Sequence, residues 1–341
     1  MSRGPARRAV LAGIAALAAT PLSAAPRRLA FADLPGWAAA DHEAALASLR
    51  SALPRARALG PVRPEDWVRA AAALDAASGR SARETFETLF APVLLAPEAH
   101  FTAYFEPELD GARARDARHL FPIRRLPRDA SLLRYSRGEI AAGALDGRGL
   151  ELFWLRDRVE AFFLHIQGSG RIRLPDGEVA RVGFAGRNAY RYRSIAAALK
   201  QRGGNTKTAG GVRRWLRANP NEAQALLNEN PSYIFFEERP ALRPEEGPVG
   251  AMGAPLTPMR SAAVDPAHHP LGAPLWVEAL AEGFRGRLMI AEDVGAAIKG
   301  PGRIDLFIGS GSEAGRRAGR LNTRGRFATL LPRDAAERLS G

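Results

Sequence analysis

The chain has 341 residues, 46% of them hydrophobic, a formal charge of +13 carried almost wholly by arginine, and no cysteine. That length supports two domains with substantial cores, and the lack of cysteine excludes disulfides, thiolate metal sites, a cysteine nucleophile and a lipidated N-terminal cysteine. The charge would attract any polyanion, yet no dense Lys/Arg cluster with interleaved aromatics points to nucleic acid.

In chain order, residues 1–25 read as an export signal. Arg3, Arg7 and Arg8 form a basic start, Val10 to Ala19 an apolar stretch, and Leu22-Ser-Ala-Ala25 offers small residues for cleavage near Ala24-Ala25. The apolar stretch is too short to span a bilayer, and Arg7-Arg8 leaves a twin-arginine route open beside the ordinary one. Residues 33–90 read as helical. Asp41 to Arg57 sets Ala44, Ala45, Leu46, Leu49 and Leu53 roughly on one stripe. Pro64 to Ala77 opens with proline and acids, as helix N-termini prefer. Ser81-Ala-Arg-Glu84 is a capping box before a short helix ending near Phe90.

From Phe101 the pattern changes. Glycine (34) and proline (25) are abundant, which favours turn-rich β architecture. Phe101–Phe105, Leu150–Leu155 and Val159–Ile166 read as strands, and Arg171–Val182 as a hairpin turning at Pro175-Asp176-Gly177. Ser194–Gln201 reads as an amphipathic helix stopping at Gly203-Gly204, and Asn219-Pro-Asn-Glu222 as the capped start of another. The Pro- and Gly-rich span 240–258 reads as a crossing back to the first domain. Strands then resume at Trp276-Val-Glu, Leu288–Ala291, Ile304–Ile308 and Arg326–Leu331.

Two of these strands carry aspartates, a residue depleted in sheets. Asp293 ends the first apolar run and Asp305 interrupts the second. Alternation sends Ile304, Leu306 and Ile308 to one face and Arg303, Asp305 and Phe307 to the other. A carboxyl held there beside Phe307 suits a proton donor; the alternative is a surface aspartate paired with Arg303. Asp293 reads as an Asx-turn cap or as a residue orienting Asp305. Asp265-Pro266 initiates a turn, and Lys299 is either solvated or a contact for an anion or sugar oxygen. Gln167-Gly168-Ser169-Gly170 reads as the end of a strand, either a plain turn or a set of donors for sugar hydroxyls. Tyr104 and Tyr190 each belong to an aromatic pair of which one member could stack on a sugar ring. The run Gly309–Gly315 has GxGxxxG spacing and no acid about 20 residues on, which excludes a dinucleotide loop. Scattered histidines without an HExxH motif give no expectation of a metal.

Five ordered segments carry a resemblance: Phe101-Thr-Ala-Tyr-Phe-Glu-Pro107, Phe163-Leu-His-Ile-Gln-Gly-Ser-Gly170, Phe184–Ile195, Asn230-Pro-Ser-Tyr-Ile-Phe-Phe236 and Ala291–Gly300 with Arg303–Gly309. Together they resemble the membrane-bound lytic murein transglycosylase A family, and the last resembles its three-aspartate domain. The resemblance implies a mainly β fold with flanking helices (α+β): a double-psi β-barrel from 26–106 and 246–335, with a second, barrel-like β domain inserted at 107–245. It implies cleavage of the MurNAc–GlcNAc bond of peptidoglycan to a 1,6-anhydro end, with Asp305 as the single acid and then base, and Asp293 and Asp265 in support. Sugar contacts would fall to Thr102, Tyr104, Gln167, Gly168, Ser169, Tyr190 and Lys299, with no cofactor or metal. Expected partners are glycan strands and not nucleic acid. The expected location is the periplasm, with at most peripheral outer-membrane association, as a monomer and not a lipoprotein. A non-catalytic cell-wall-binding module is the alternative.

Overall fold

The computed structural model describes residues 25–76, 79–206, 208–239, 242–295 and 297–339. Residues 1–24 of the expected export signal lie outside this set, as does Ala296. From the N-terminus come β1 (Arg27–Arg28), α1 (His42–Ala52), α2 (Pro64–Asp75), α3 (Ala82–Leu89), β2 (Phe90–Leu94) and β3 (Ala99–Glu106). The middle holds β4 (Glu108–Ala112), β5 (Phe121–Arg124), α4 (Arg137–Ala141), β6 (Glu151–Leu155), α5 (Arg158–Gln167), β7 (Ser169–Arg173), β8 (Val179–Arg187), α6 (Ala196–Gln201), α7 (Ala209–Ala218), α8 (Pro220–Asn228) and β9 (Ile234–Glu238). The last part holds β10 (Ser261–Val264), β11 (Pro274–Ala279), β12 (Arg285–Asp293), β13 (Arg303–Ser310), α9 (Gly311–Ala318), β14 (Asn322–Pro332) and α10 (Arg333–Glu337). Among the described residues no helix is long and apolar enough to cross a membrane.

The contacts divide the described chain into two units, one of 25–104, 249–309 and 320–339, the other of Phe105–Pro248 and Ser310–Gly319. In the first, the capping box forms as its sequence predicts: the Glu84 N–H donates to Ser81 Oγ at 3.2 Å, and the Ser81 N–H donates to Glu84 Oε2 at 3.0 Å. Such reciprocal caps satisfy backbone donors that a helix start leaves open. The strands run β1-β2-β14-β11-β12-β10-β13-β3, and a further β14–β3 pairing closes the last six into a ring. The length of β14 makes this possible. One of its edges takes β11, while the other takes β3 along Asn322–Gly325 and β2 along Thr329–Pro332. Closure removes the open edges that invite aggregation. Aromatic packing fixes the flanking helices, with Trp37 edge-on to Trp276 at 5.1 Å and near Phe86 at 6.3 Å.

The second unit carries the sheet β5-β6-β4-β7-β8-β9, in which β4 and β7 are parallel and the other pairs antiparallel. A bridge from Arg125 to Phe236 draws its two edges together. Ile123, Phe153, Leu164, Ile172 and Phe236 fill its core. On its other side α5 packs Phe162, Phe163 and Ile166 against Leu199 of α6, Leu216 of α7 and Leu226 of α8. Mixed α+β structure dominated by sheets is what the sequence leads one to expect.

Three local expectations are corrected. Val159–Ile166 is helix α5 and not a strand, because Asp157 accepts the Val159 and Glu160 N–H groups at 2.7 and 3.2 Å and nucleates a helical turn. Its apolar run is buried on every side, so periodicity could not separate helix from strand. Consequently Gln167-Gly-Ser-Gly170 does not close a strand. Gln167 ends α5, Gly168 at φ 75° is its left-handed C-cap, and Ser169 opens β7. Asn219 precedes α8 but its amide donates back to the Trp215 carbonyl at 2.8 Å rather than capping α8. Helix α7 is an element that the sequence reading did not anticipate.

Candidate active site

The closed ring places the two odd aspartates in register. Ala263 of β10 pairs with Asp293 of β12 on one side and with Asp305 of β13 on the other. Residues opposed in a sheet share a face, so both carboxyls project to the same side, two strand spacings or roughly 10 Å apart at Cα. Both are buried, each 1% exposed. Asp305 is therefore not a surface aspartate.

Strand β3 supplies what holds them. Thr102 and Tyr104, two residues apart, share a face. The Thr102 hydroxyl donates to Asp305 Oδ1 and accepts from Arg303 Nη2 at 2.7 Å. Because Arg303 occupies its acceptor side, the hydroxyl proton is committed to Asp305. Burial pushes the Arg303 guanidinium down, against the opposing pull of the Asp305 carboxylate. The Tyr104 ring packs on Phe307 at 5.3 Å, and its hydroxyl donates to Asp293 Oδ2 at 3.0 Å. The Ala251 N–H donates to Asp293 Oδ1, also at 3.0 Å. Both oxygens of Asp293 thus accept a bond from the scaffold.

Asp265 sits at the end of β10 and ties down a loop. Its Oδ2 accepts the Gly300 N–H at 2.7 Å, its Oδ1 accepts the Ala267 N–H at 3.2 Å, and the Lys299 ammonium lies 3.6 Å from Oδ1. Burial pushes its pKa up, but those N–H groups and Lys299 outweigh this and hold the carboxyl below its usual range. Gly300 has φ 92°, a backbone shape that suits glycine at the turn carrying Lys299.

A fourth acid, Glu292, was not singled out from the sequence, although it directly precedes Asp293. The pairing of β10 with β12 slips between Ala262 and Ala263, leaving Glu292 as the extra residue. Its carboxyl is buried against the Ser261 hydroxyl, which donates to Oε2. Burial pushes the group up to about 7, the Ser261 bond opposes this, and the nearby Asp293 charge adds to it. The consequence for stability has a definite sign. Below about pH 4.5 the carboxyl is neutral in folded and unfolded chains alike; between there and about 7 only the unfolded chain ionises. Stability should fall as pH rises across that window and level off above it, by up to about 3 kcal/mol at ~1.4 kcal/mol per pH unit. Glu292→Gln should flatten this slope and stabilise the protein at pH 8, as urea titrations at pH 5 and 8 would measure.

In the second unit, Gln167 is buried and its Oε1 has no hydrogen-bond partner among the described residues. Ser169 is buried in β7, and Tyr190 is 38% exposed. Tyr104, by contrast, is 1% exposed. Its contacts make it a support for Asp293 rather than an open stacking face.

A closed β unit bearing buried acids, interrupted by an α+β insert, corresponds to two described domains. Residues 100–237 match the MltA specific insert domain, and residues 260–331 match the 3D domain. The chain is 34% identical over 244 residues to the membrane-bound lytic murein transglycosylase A of Vibrio cholerae, covering 67% of this chain. That match spans 64% of the Vibrio protein's length. A crystal structure of a membrane-bound lytic murein transglycosylase from Agrobacterium tumefaciens superposes with TM-score 0.81 and 32% identity, over 93% of this chain and 100% of that one. One of E. coli MltA with bound chitohexaose gives TM-score 0.71 and 28% identity, over 86% and 90%. The chain belongs to the membrane-bound lytic murein transglycosylase A family.

Proposed function

We propose that the protein is a lytic transglycosylase that cleaves the β-1,4 bond between N-acetylmuramic acid and N-acetylglucosamine in peptidoglycan without water. Asp305 carries this reading: a buried carboxyl on a rigid strand, oriented by a hydroxyl whose proton Arg303 commits to it. Protonated Asp305 gives its proton to the glycosidic oxygen as that bond breaks. The C6 hydroxyl of the muramyl residue attacks C1, and the Asp305 carboxylate takes the hydroxyl proton. The products are a free 4-hydroxyl and a 1,6-anhydro ring, and Asp305 ends protonated as it began. An intramolecular attack replaces the external nucleophile that most glycosidases recruit with a second carboxylate.

Asp293, in register with Asp305 across β10, is a candidate for such a second carboxylate, and its two engaged oxygens argue for positioning instead. A glycan substrate is supported by the chitohexaose complex of E. coli MltA. The unpartnered Gln167 Oε1 offers an acceptor for a sugar hydroxyl, beside Gly168 and Ser169. Lys299, Tyr190 and Thr102 complete the proposed contacts. We assign the closed ring to a double-psi β-barrel formed by 26–106 and 246–335, with 107–245 inserted. The basic and apolar segment 1–25 supports export to the periplasm.

The test is lysis of purified peptidoglycan sacculi, followed by turbidity. Wild-type protein should clear the suspension. Thr102→Val removes the hydroxyl while keeping the shape, and should slow clearing about tenfold, the scale of one charge-assisted hydrogen bond. An unchanged rate in that variant would remove Thr102 from the account, and no clearing by the wild type would remove the activity.

A further inference from the structure

The second unit contains a cavity of about 460 Å³ that has no part in the reading above. Arg115, Arg124, Arg137 and Arg158 line it, against a single carboxylate, Asp146. Arg124 is neutralised by Asp146 and Glu151 at 2.7 and 3.3 Å. The other three have no carboxylate partner among the described residues. Arg115 and Arg158 lie over the Trp154 and Phe121 rings at 5.8 and 5.2 Å. Arg137 is 7% exposed. It stacks over Phe162 at 4.9 Å, and its Nε and Nη2 donate to the carbonyls of Asn230 and Ser232 at 3.2 and 2.6 Å. Its Nη1 enters no hydrogen bond among the described residues, and Arg137 lines the cavity.

His165, buried on the same cavity, supplies a second donor. Its Nδ1 accepts the Ile234 N–H at 3.2 Å. The ring is neutral, because burial and the nearby arginines push it well below the usual histidine range. With Nδ1 accepting, the ring proton sits on Nε2, which also lacks a partner among the described residues.

We propose that this cavity binds a carboxylate, through Arg137 Nη1 and His165 Nε2–H, with Arg115 and Arg158 at its mouth drawing the anion in. A buried guanidinium with an open donor and no counter-charge is the arrangement an oxyanion completes. Two inner donors match the two oxygens of a carboxylate, whereas a phosphate would leave oxygens unmet. The aromatic walls and the volume suit a short chain behind the carboxylate, such as the end of a peptide.

The experiment is isothermal titration of the full mature protein with N-acetyl-Ala-Ala, with its C-terminal amide and with inorganic phosphate. The acid should bind with Kd at or below about 1 mM, the amide at least tenfold more weakly, and phosphate no better than the amide. Arg137→Lys should abolish binding. Arg158→Ser, at a half-buried position with no ion pair, keeps the fold and should weaken it several-fold with a reduced salt dependence. Equal binding of acid and amide, tighter binding of phosphate, or full affinity in Arg137→Lys would each overturn the assignment. The readout is independent of glycan cleavage, so a negative result here leaves the transglycosylase reading untouched, and the reverse also holds.

Discussion

Asp305→Asn is expected to lower turnover by roughly 10²- to 10⁴-fold, the usual contribution of a positioned general acid or base, while leaving the fold in place. The amide keeps a carbonyl oxygen to accept the Thr102 hydroxyl, so the Arg303–Thr102 chain that orients the group should persist. What disappears is the capacity to give and retake a proton. The substitution is therefore informative only beside a fold measurement. Circular dichroism and the thermal midpoint should match the wild type, and glycan binding should be retained. Activity within a fewfold of the wild type would mean that the proton comes from elsewhere and would undo the role given to Asp305.

The largest expected effect on stability lies at Glu106. This carboxylate is 1% exposed and gathers three donors: Arg171 Nε at 2.9 Å, Arg181 Nη2 at 2.9 Å and the Ser310 hydroxyl at 2.7 Å. The two guanidinium groups also donate to the Glu246 carbonyl at 2.9 and 2.6 Å. Glu106, Glu246 and Ser310 each lie within two residues of a point where the chain passes from one unit to the other. Every member of the cluster belongs to the second unit. Glu106→Ala would strand two largely buried guanidinium groups, and breaking a buried pair from one side typically costs about 3–5 kcal/mol. The urea midpoint should drop accordingly. A loss below about 1 kcal/mol would mean that water or another carboxylate replaces Glu106.

Much of the site was legible because aspartate in an apolar strand is a conflict between local propensity and position. That conflict marked Asp305 and Asp293, and the period of two placed Arg303, Asp305 and Phe307 on one face. The capping box at Ser81 and the hairpin glycine at 177 were legible for a similar reason, since each is a short-range signal with its own chemistry. Long-range and all-round burial hid the rest. Phe162, Phe163 and Leu164 are buried on different sides of α5, so no amphipathic period distinguished that helix from a strand. Glu292 was passed over because its significance comes from a bulge created by pairing with a strand about thirty residues away. The commitment of the Thr102 hydroxyl to Asp305 depends on Arg303, two hundred residues on, and no spacing rule reaches that far.

The central claim is that one acid works with the sugar's own C6 hydroxyl and without water. Mass spectrometry of the muropeptides released from isolated peptidoglycan by the purified mature protein tests it most directly. Products lighter by one water, with 1,6-anhydro ends, are the predicted result. Ordinary reducing ends would contradict it, because hydrolysis requires a second carboxylate acting as base or nucleophile, and Asp293 would then have to release the bonds from Tyr104 and Ala251 to serve.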